Sequence, residues 1–212
     1  MPSDVDICNL ALLRLGTRSS IASLAEGSTE ANACALLYPV VRDTLLTLHP
    51  WRFASRRTAL ADLGTPPEPW RFRYAYPADC LRAQSILQPL QGGPAIRFVV
   101  AGDLDSSGNP IRVILADQPQ AELVYTGRIA VPTLFNAMFV EALSWMMAAE
   151  LAVGLTGDKT LAQTCQEAAG AAVASARAED GNESADIHHV LPESLEVRGY
   201  PHCERGPSWR NP

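Results

Sequence analysis

Apolar residues recur at three- and four-residue intervals near both ends of the chain and at two-residue intervals in its middle. Ile7, Cys8, Ala11, Leu12 and Leu15 form one stripe, with Ser3 placed to cap it and Gly16 to stop it, so a helix is predicted from about Asp4 to Leu15. Ser28 or Thr29 starts a second, in which Cys34, Leu37, Tyr38, Val41, Leu45 and Leu48 share a face. Pro39 lies inside that pattern, removes a ladder donor and disfavours helical backbone at Tyr38, so a kink or a restart is expected there.

His49-Pro50 ends the second helix, and Gly64-Thr65-Pro66-Pro67-Glu68-Pro69 is a stiff loop at which the period changes. Trp70, Phe72, Tyr74 and Tyr76 alternate with Arg71 and Arg73, the pattern of a half-buried strand. Leu81 to Leu87, Ile96 to Val100, Ile111 to Leu115 and Leu123 to Thr126 are further strand candidates, and Gly92-Gly93 is a turn. Pro132 then suits the first turn of a long helix reaching about Leu155, and Thr156 or Asp158 caps another running to about Asp180. The small residues Ala162, Cys165, Ala169, Ala172 and Ala176 form its seam, which suits either a helix hairpin or packing on a neighbouring subunit.

The expected fold class is therefore α+β: mainly a helical bundle, with an inserted small antiparallel β-sheet and an extended C-terminal arm. The segments are 1–64 (N-terminal helices), 65–130 (β region), 131–180 (helix hairpin completing the bundle) and 181–212 (arm). The arm is polar and Pro-rich, with Ile187, Val190, Leu191, Leu195, Val197, Tyr200 and Trp209 irregularly spaced. It is expected to be held by a neighbouring subunit or another partner, with Trp209 the leading anchor.

Composition narrows the function. With 47% hydrophobic and 19% charged residues the chain reads as globular. No apolar run approaches the roughly 18 residues that cross a bilayer, and the first residues lack the pattern of a signal peptide. The net charge of −6 disfavours tight general binding to DNA, because few phosphate contacts are available to release counterions. Sixteen of the 17 basic residues are arginine, as interfaces favour, although a compositional bias of the genome explains that excess as well. Cys8, Cys34, Cys80, Cys165 and Cys203 form no C-x-x-C pair and read as reduced core fillers.

Chemical motifs are few. Asp103, Asp105, Ser107 and Gly108 imitate the start of a calcium loop, but Ile114 stands where a bidentate Glu is needed, so Asp103 to Asn109 reads as a hairpin turn. His188-His189 and His202-Cys203 match no compact zinc spacing, and His49 suits capping or packing. No nucleophile-elbow, phosphate-loop, dinucleotide or zinc-protease motif occurs, so no catalytic, metal or cofactor residue is expected. Arg52, Arg56 and Arg57 beside Trp51 and Phe53 are the sharpest cluster. An ion-pair patch within or between subunits outweighs the alternative, a stand-alone nucleic-acid-binding module that stacks bases on Trp51.

Five stretches carry a resemblance. Asp6-Ile7-Cys8-Asn9-Leu10-Ala11-Leu12-Leu13-Arg14-Leu15-Gly16, then Tyr38 with Arg42-Asp43, then His49-Pro50-Trp51-Arg52-Phe53-Ala54 resemble the opening of the tail tubular protein A family of short-tailed phages. Tyr74-Ala75-Tyr76-Pro77-Ala78-Asp79-Cys80-Leu81-Arg82 and Phe139-Val140-Glu141-Ala142-Leu143 look like its later signatures, and the match spans roughly Val5 to Glu179. Pro39 departs from the helix formers usual in that family. The resemblance implies a non-enzymatic head-to-tail adaptor in the virion neck, assembled in the host cytoplasm without cofactor or membrane. Usually twelve such subunits form a homo-oligomeric ring that docks under the portal protein, receives the tail nozzle protein and lets genomic DNA pass without tight binding. Trp51, Arg52, Phe53, Arg56, Arg57, Tyr200 and Trp209 are then the expected structural and interface residues.

Overall fold

The computed structural model describes residues 2–87 and 95–183. The arm with Tyr200 and Trp209, the two histidine pairs, Cys203 and Gly92-Gly93 lie outside them. The first helix, α1 (Asp4–Arg14), starts with a capping box: the Asp6 N–H donates to Ser3 Oγ at 3.1 Å and the Ser3 N–H returns a bond to Asp6 Oδ2 at 2.8 Å. That Ser3 N–H is the main reason the Asp6 carboxyl lies below its ordinary range. The second helix, α2 (Thr29–Leu48), is capped by Ser28 and runs through Pro39 without a restart. Buried Tyr38, Val41, Leu45 and Leu46 hold both of its halves on the core, and that packing offsets the missing ladder bond.

A short 3-10 turn, Arg52–Ala54, leads into strands β1 (Ser55–Ala59), β2 (Phe72–Ala75), β3 (Cys80–Ile86), β4 (Phe98–Leu104), β5 (Pro110–Ala116) and β6 (Glu122–Gly127). They form two antiparallel three-stranded sheets, ordered β1-β6-β3 and β2-β5-β4, where one sheet was expected. The segment 1–64 was also expected to be helical only, yet it supplies β1. Ser55-Arg56-Arg57-Thr58-Ala59 has no apolar alternation, and its strand character comes from pairing with β6, Ser55 against Thr126 through Ala59 against Glu122. The aromatic strand is shorter than its pattern, because only Phe72 to Ala75 have partners on β5. Of the hairpin turn expected from Asp103 to Asn109, Asp105 to Asn109 form the turn between β4 and β5, while Asp103 and Leu104 still belong to β4. Gly108 takes φ +82° and Asp105 Oδ1 accepts the Ser107 and Asn109 N–H groups, each at 2.8 Å. These bonds, that from Asn109 first, keep the Asp105 carboxyl below its usual range.

Pro132 does not open the third helix. It opens a 3-10 turn, Pro132–Leu134, and α3 (Ala137–Thr156) begins where the Asn136 side chain accepts the Phe139 N–H at 2.8 Å. Proline tolerates a helix start, whereas asparagine satisfies one of its orphan donors. Gly157, at φ 69°, closes α3, and Asp158 caps α4 (Lys159–Asn182). The small-residue seam of α4 packs within the chain: Cys165, Ala169 and Ala176 are buried, and α4 lies along α3. That arrangement is the helix hairpin.

One expectation about apolar runs is corrected. Helix α3 is long and apolar enough by composition to cross a membrane, with a mean hydropathy of 1.5. Its sides are taken up by α1, α2 and α4, and half of that stretch is buried within the fold. Phe139, Leu143, Met147 and Leu151 lie at the centre of the helical core. A second core, centred on Tyr74, Ile114, Ala116 and Leu123, belongs to the sheets.

Asn136→Ala should lower the unfolding free energy by about 1 kcal/mol, because α3 loses its cap. Pro132→Ala should cost less, and chemical denaturation of both variants checks the order.

Candidate interface site at the end of the second helix

The chain leaves α2 through His49, whose extended backbone (φ −143°) turns Trp51 back under the helix. The Trp51 indole is completely buried, and its N–H donates to the Leu45 carbonyl at 2.8 Å. One bond thus satisfies two groups that burial would otherwise strand: the indole donor and a carbonyl of the helix's last turn. Around it the rings of His49 and Phe139 stand edge-on, each with its centroid at 5.0 Å. Phe53 meets Phe139 at 5.0 Å, and Phe135 meets Phe139 at 4.7 Å. The odd positions 51 and 53 therefore point inward, and the arginines between and after them are left outside.

Arg52 is held by α4. Its backbone N–H donates to Asp180 Oδ1 at 3.1 Å, its Nε donates to the Asp180 carbonyl at 3.0 Å, and His49 Nε2 lies 3.2 Å from Asp180 Oδ2. The Asp180 side chain is only 2% exposed, so the α4 terminus is tied to the α2 terminus by one buried carboxylate. Arg82 and Arg177 donate to the carbonyls of Thr47 and Leu48, each at 3.2 Å, which places guanidinium charge at the negative end of the α2 dipole. An open cleft of about 440 Å³ lies here, lined by His49, Arg52, Ser55, Gln84 and Asp180 among others.

Arg56 goes elsewhere. It pairs with Asp79, which also accepts the Tyr125 hydroxyl at 3.0 Å. Burial first, and then the Asp79 carboxylate, pushes the Tyr125 hydroxyl above its ordinary pKa. The Arg56 stem also covers Gly127, where an added Cβ would stand 2.6 Å from Arg56 Cδ. Arg57 is exposed on β1.

The five described site residues thus do not form one patch. Trp51 and Phe53 belong to the core, and the three arginines spread over two elements. Base stacking needs an exposed ring face, and Trp51 offers none. In the cleft His49 Nε2 faces Asp180, and among the described residues no hydrogen bond joins His49 to Ser55, the one hydroxyl of its lining. Among the described residues no group of three or more histidine, cysteine, aspartate or glutamate side chains gathers as a metal site.

Several residues of the sequence motifs have framework positions. Asn9 pairs with the backbone of Ile21 through both amide atoms, at 2.8 and 2.9 Å. Arg14 bridges α1 to α3, with bonds of 2.6 Å to Glu141 and to Ser144, and its guanidinium lies 4.1 Å from the centre of the Trp145 ring. Asp43 joins Arg42 of α2 to Arg128 beyond β6, both at 2.7 Å. Asp180 was missed as a site residue, because a single Asp near a helix end carries no sequence signal for a partner at His49. A comparison with protein-family models and with curated proteins finds no match to the chain.

Trp51→Ala should destabilise the fold by about 3–5 kcal/mol, since it removes a fully buried ring and strands the Leu45 carbonyl. A melting temperature like that of the parent would show that the indole carries no core load. Asp180→Ala should cost about 2–3 kcal/mol and Asp180→Asn less, because the amide still accepts the Arg52 N–H. Denaturant titration of the two variants distinguishes them.

Proposed function

We propose that the chain is a structural subunit, a head-to-tail adaptor of a phage virion. Such subunits form a ring under the portal protein, extend the DNA channel and receive the tail nozzle protein. The observation that carries this reading is the placement of the motif residues. Asn9, Arg14, Asp43, Trp51, Arg52 and Glu141 each tie together segments of the chain. A motif set that fixes the body of a subunit suits a part whose task is shape.

The outer face of α2 supports the same reading. Leu36, Val40 and Leu48 are 72%, 60% and 43% exposed along one side, an apolar stripe suited to a neighbouring subunit. The net charge of −6 suits a channel through which DNA slides without phosphate contacts that hold it. The stand-alone nucleic-acid-binding module loses its stacking platform with the burial of Trp51.

Electron microscopy of the chain mixed with its portal should show closed rings stacked on the portal around a continuous channel. The double variant Leu36→Asp/Val40→Asp should fold normally and fail to form them. A chain that stays monomeric beside its portal, and binds double-stranded DNA at micromolar concentration with steep salt dependence, would sink the adaptor reading in favour of the module.

A further inference from the structure

Helix α4 delivers the chain to one end of the apolar stripe on α2. Its last turns are fastened there: Arg177 donates to the Leu48 carbonyl at 3.2 Å, Asp180 Oδ2 lies 3.2 Å from His49 Nε2, and Asp180 Oδ1 accepts the Arg52 N–H at 3.1 Å. Leu48 is itself the near end of the stripe, which runs back along α2 through Val40 to Leu36. We propose that this stripe is a docking groove for the chain's own C-terminal segment, filled in the free subunit by Ile187, Val190 and Leu191. The inference needs neither ring nor portal and stands apart from the adaptor reading.

Val40, Asp43, Thr44, Thr47 and Leu48 line an open groove of about 400 Å³ on this face. Its polar groups are already engaged. The Thr44 and Thr47 hydroxyls donate to the carbonyls of Val40 and Asp43 at 2.8 and 2.7 Å, and the Asp43 carboxylate is taken by Arg42 and Arg128. What is left to cover is apolar, so the groove suits an aliphatic side chain and gives a charged one nothing to pair with. From Leu36 to Leu48 the stripe measures about 18 Å at the rise of a helix. An extended chain crosses that length in about six residues. Residues 184–212 follow the end of α4, so the segment reaches the whole stripe with chain to spare.

The sequence of the segment matches that demand. Ser184-Ala185-Asp186 supply a short polar lead, and Ile187 and the pair Val190-Leu191 are the first aliphatic side chains after the helix, with the polar His188-His189 between them. A short tether presents them to the groove at roughly millimolar effective concentration, which a second copy of the chain in dilute solution does not match. The chain's own segment is therefore the first occupant of the stripe. Any neighbouring subunit that packs on the same face has to displace it, so docking and association through α2 exclude each other. The segment thus keeps an exposed apolar stripe from premature association and becomes free for another partner once it is displaced.

The test uses the full chain alone in dilute solution, with Val40→p-benzoylphenylalanine as a photo-cross-linker in the groove and an equal mixture of light and heavy isotope-labelled protein. Irradiation should join the tryptic peptide from Ser19 to Arg42 to that from Ala178 to Arg198, with fragment ions placing the link between Ile187 and Leu191. Both peptides of each pair should carry the same label. Adding Ile187→Asp/Val190→Asp/Leu191→Asp should abolish the link while the circular dichroism of the chain stays unchanged. Leu36→p-benzoylphenylalanine gives a second reading of the same face where the first variant folds poorly. Pairs of light with heavy peptide would put a second copy in the groove. Those pairs, a link that survives the triple substitution, or the lack of any link to residues 184–212 from either position would overturn the proposal.

Discussion

Burial of the Trp51 indole at the end of α2 is the constraint on which the rest of the chain depends. A ring of that size placed in the core must find a partner for its N–H, and the nearest one that costs no other bond is a last-turn carbonyl of the helix it has just left. Satisfying it requires the chain to fold back sharply after Pro50. That reversal stacks Trp51, Phe53, Phe135 and Phe139 into one aromatic group and sends the chain into β1. The same turn exposes the Arg52 N–H, which Asp180 takes from the far end of α4. Helix, sheet and hairpin therefore meet at one corner.

Charge is arranged to serve that geometry. The arginines that bridge segments, Arg14 to Glu141, Arg56 to Asp79, Arg73 to Asp103 and Arg128 to Asp43, each pair with a carboxylate far away in the sequence. Partly exposed pairs of this kind add little stability one by one. Their planar forks instead fix the relative orientation of elements whose apolar contacts would tolerate sliding. In a subunit whose angular repeat has to close a ring, as proposed here, orientation matters more than the last kcal/mol of stability.

Two cores within one chain divide the labour further. The helical core runs from α1 to α4, while the sheet core is built from aliphatic and aromatic residues of the two sheets and of the turns beside them.

At three helix starts, where side chain and backbone interact locally, the sequence alone was sufficient; at α3 it pointed to Pro132 rather than to the Asn136 cap. Ser3, Ser28 and Asp158 cap helices because a short polar side chain next to a periodic apolar run has a donor within reach, and the α+β class follows from the change of period at the proline-rich loop. Trp51 was readable as an anchor from its size and its position just past a helix. Other features were decided by tertiary contacts. The strand at Ser55 to Ala59 has no pattern of its own and exists because β6 lies beside it, and the division into two sheets depends on which strands pair. Pro39 remains helical because both sides of it are packed on the core. Asp180 becomes a buried latch, and the arginine cluster comes apart, only through partners such as His49 and Asp79 that lie far away along the chain. Periodicity reports what a residue does to its neighbours in sequence, and these contacts join residues that only the folded core makes neighbours.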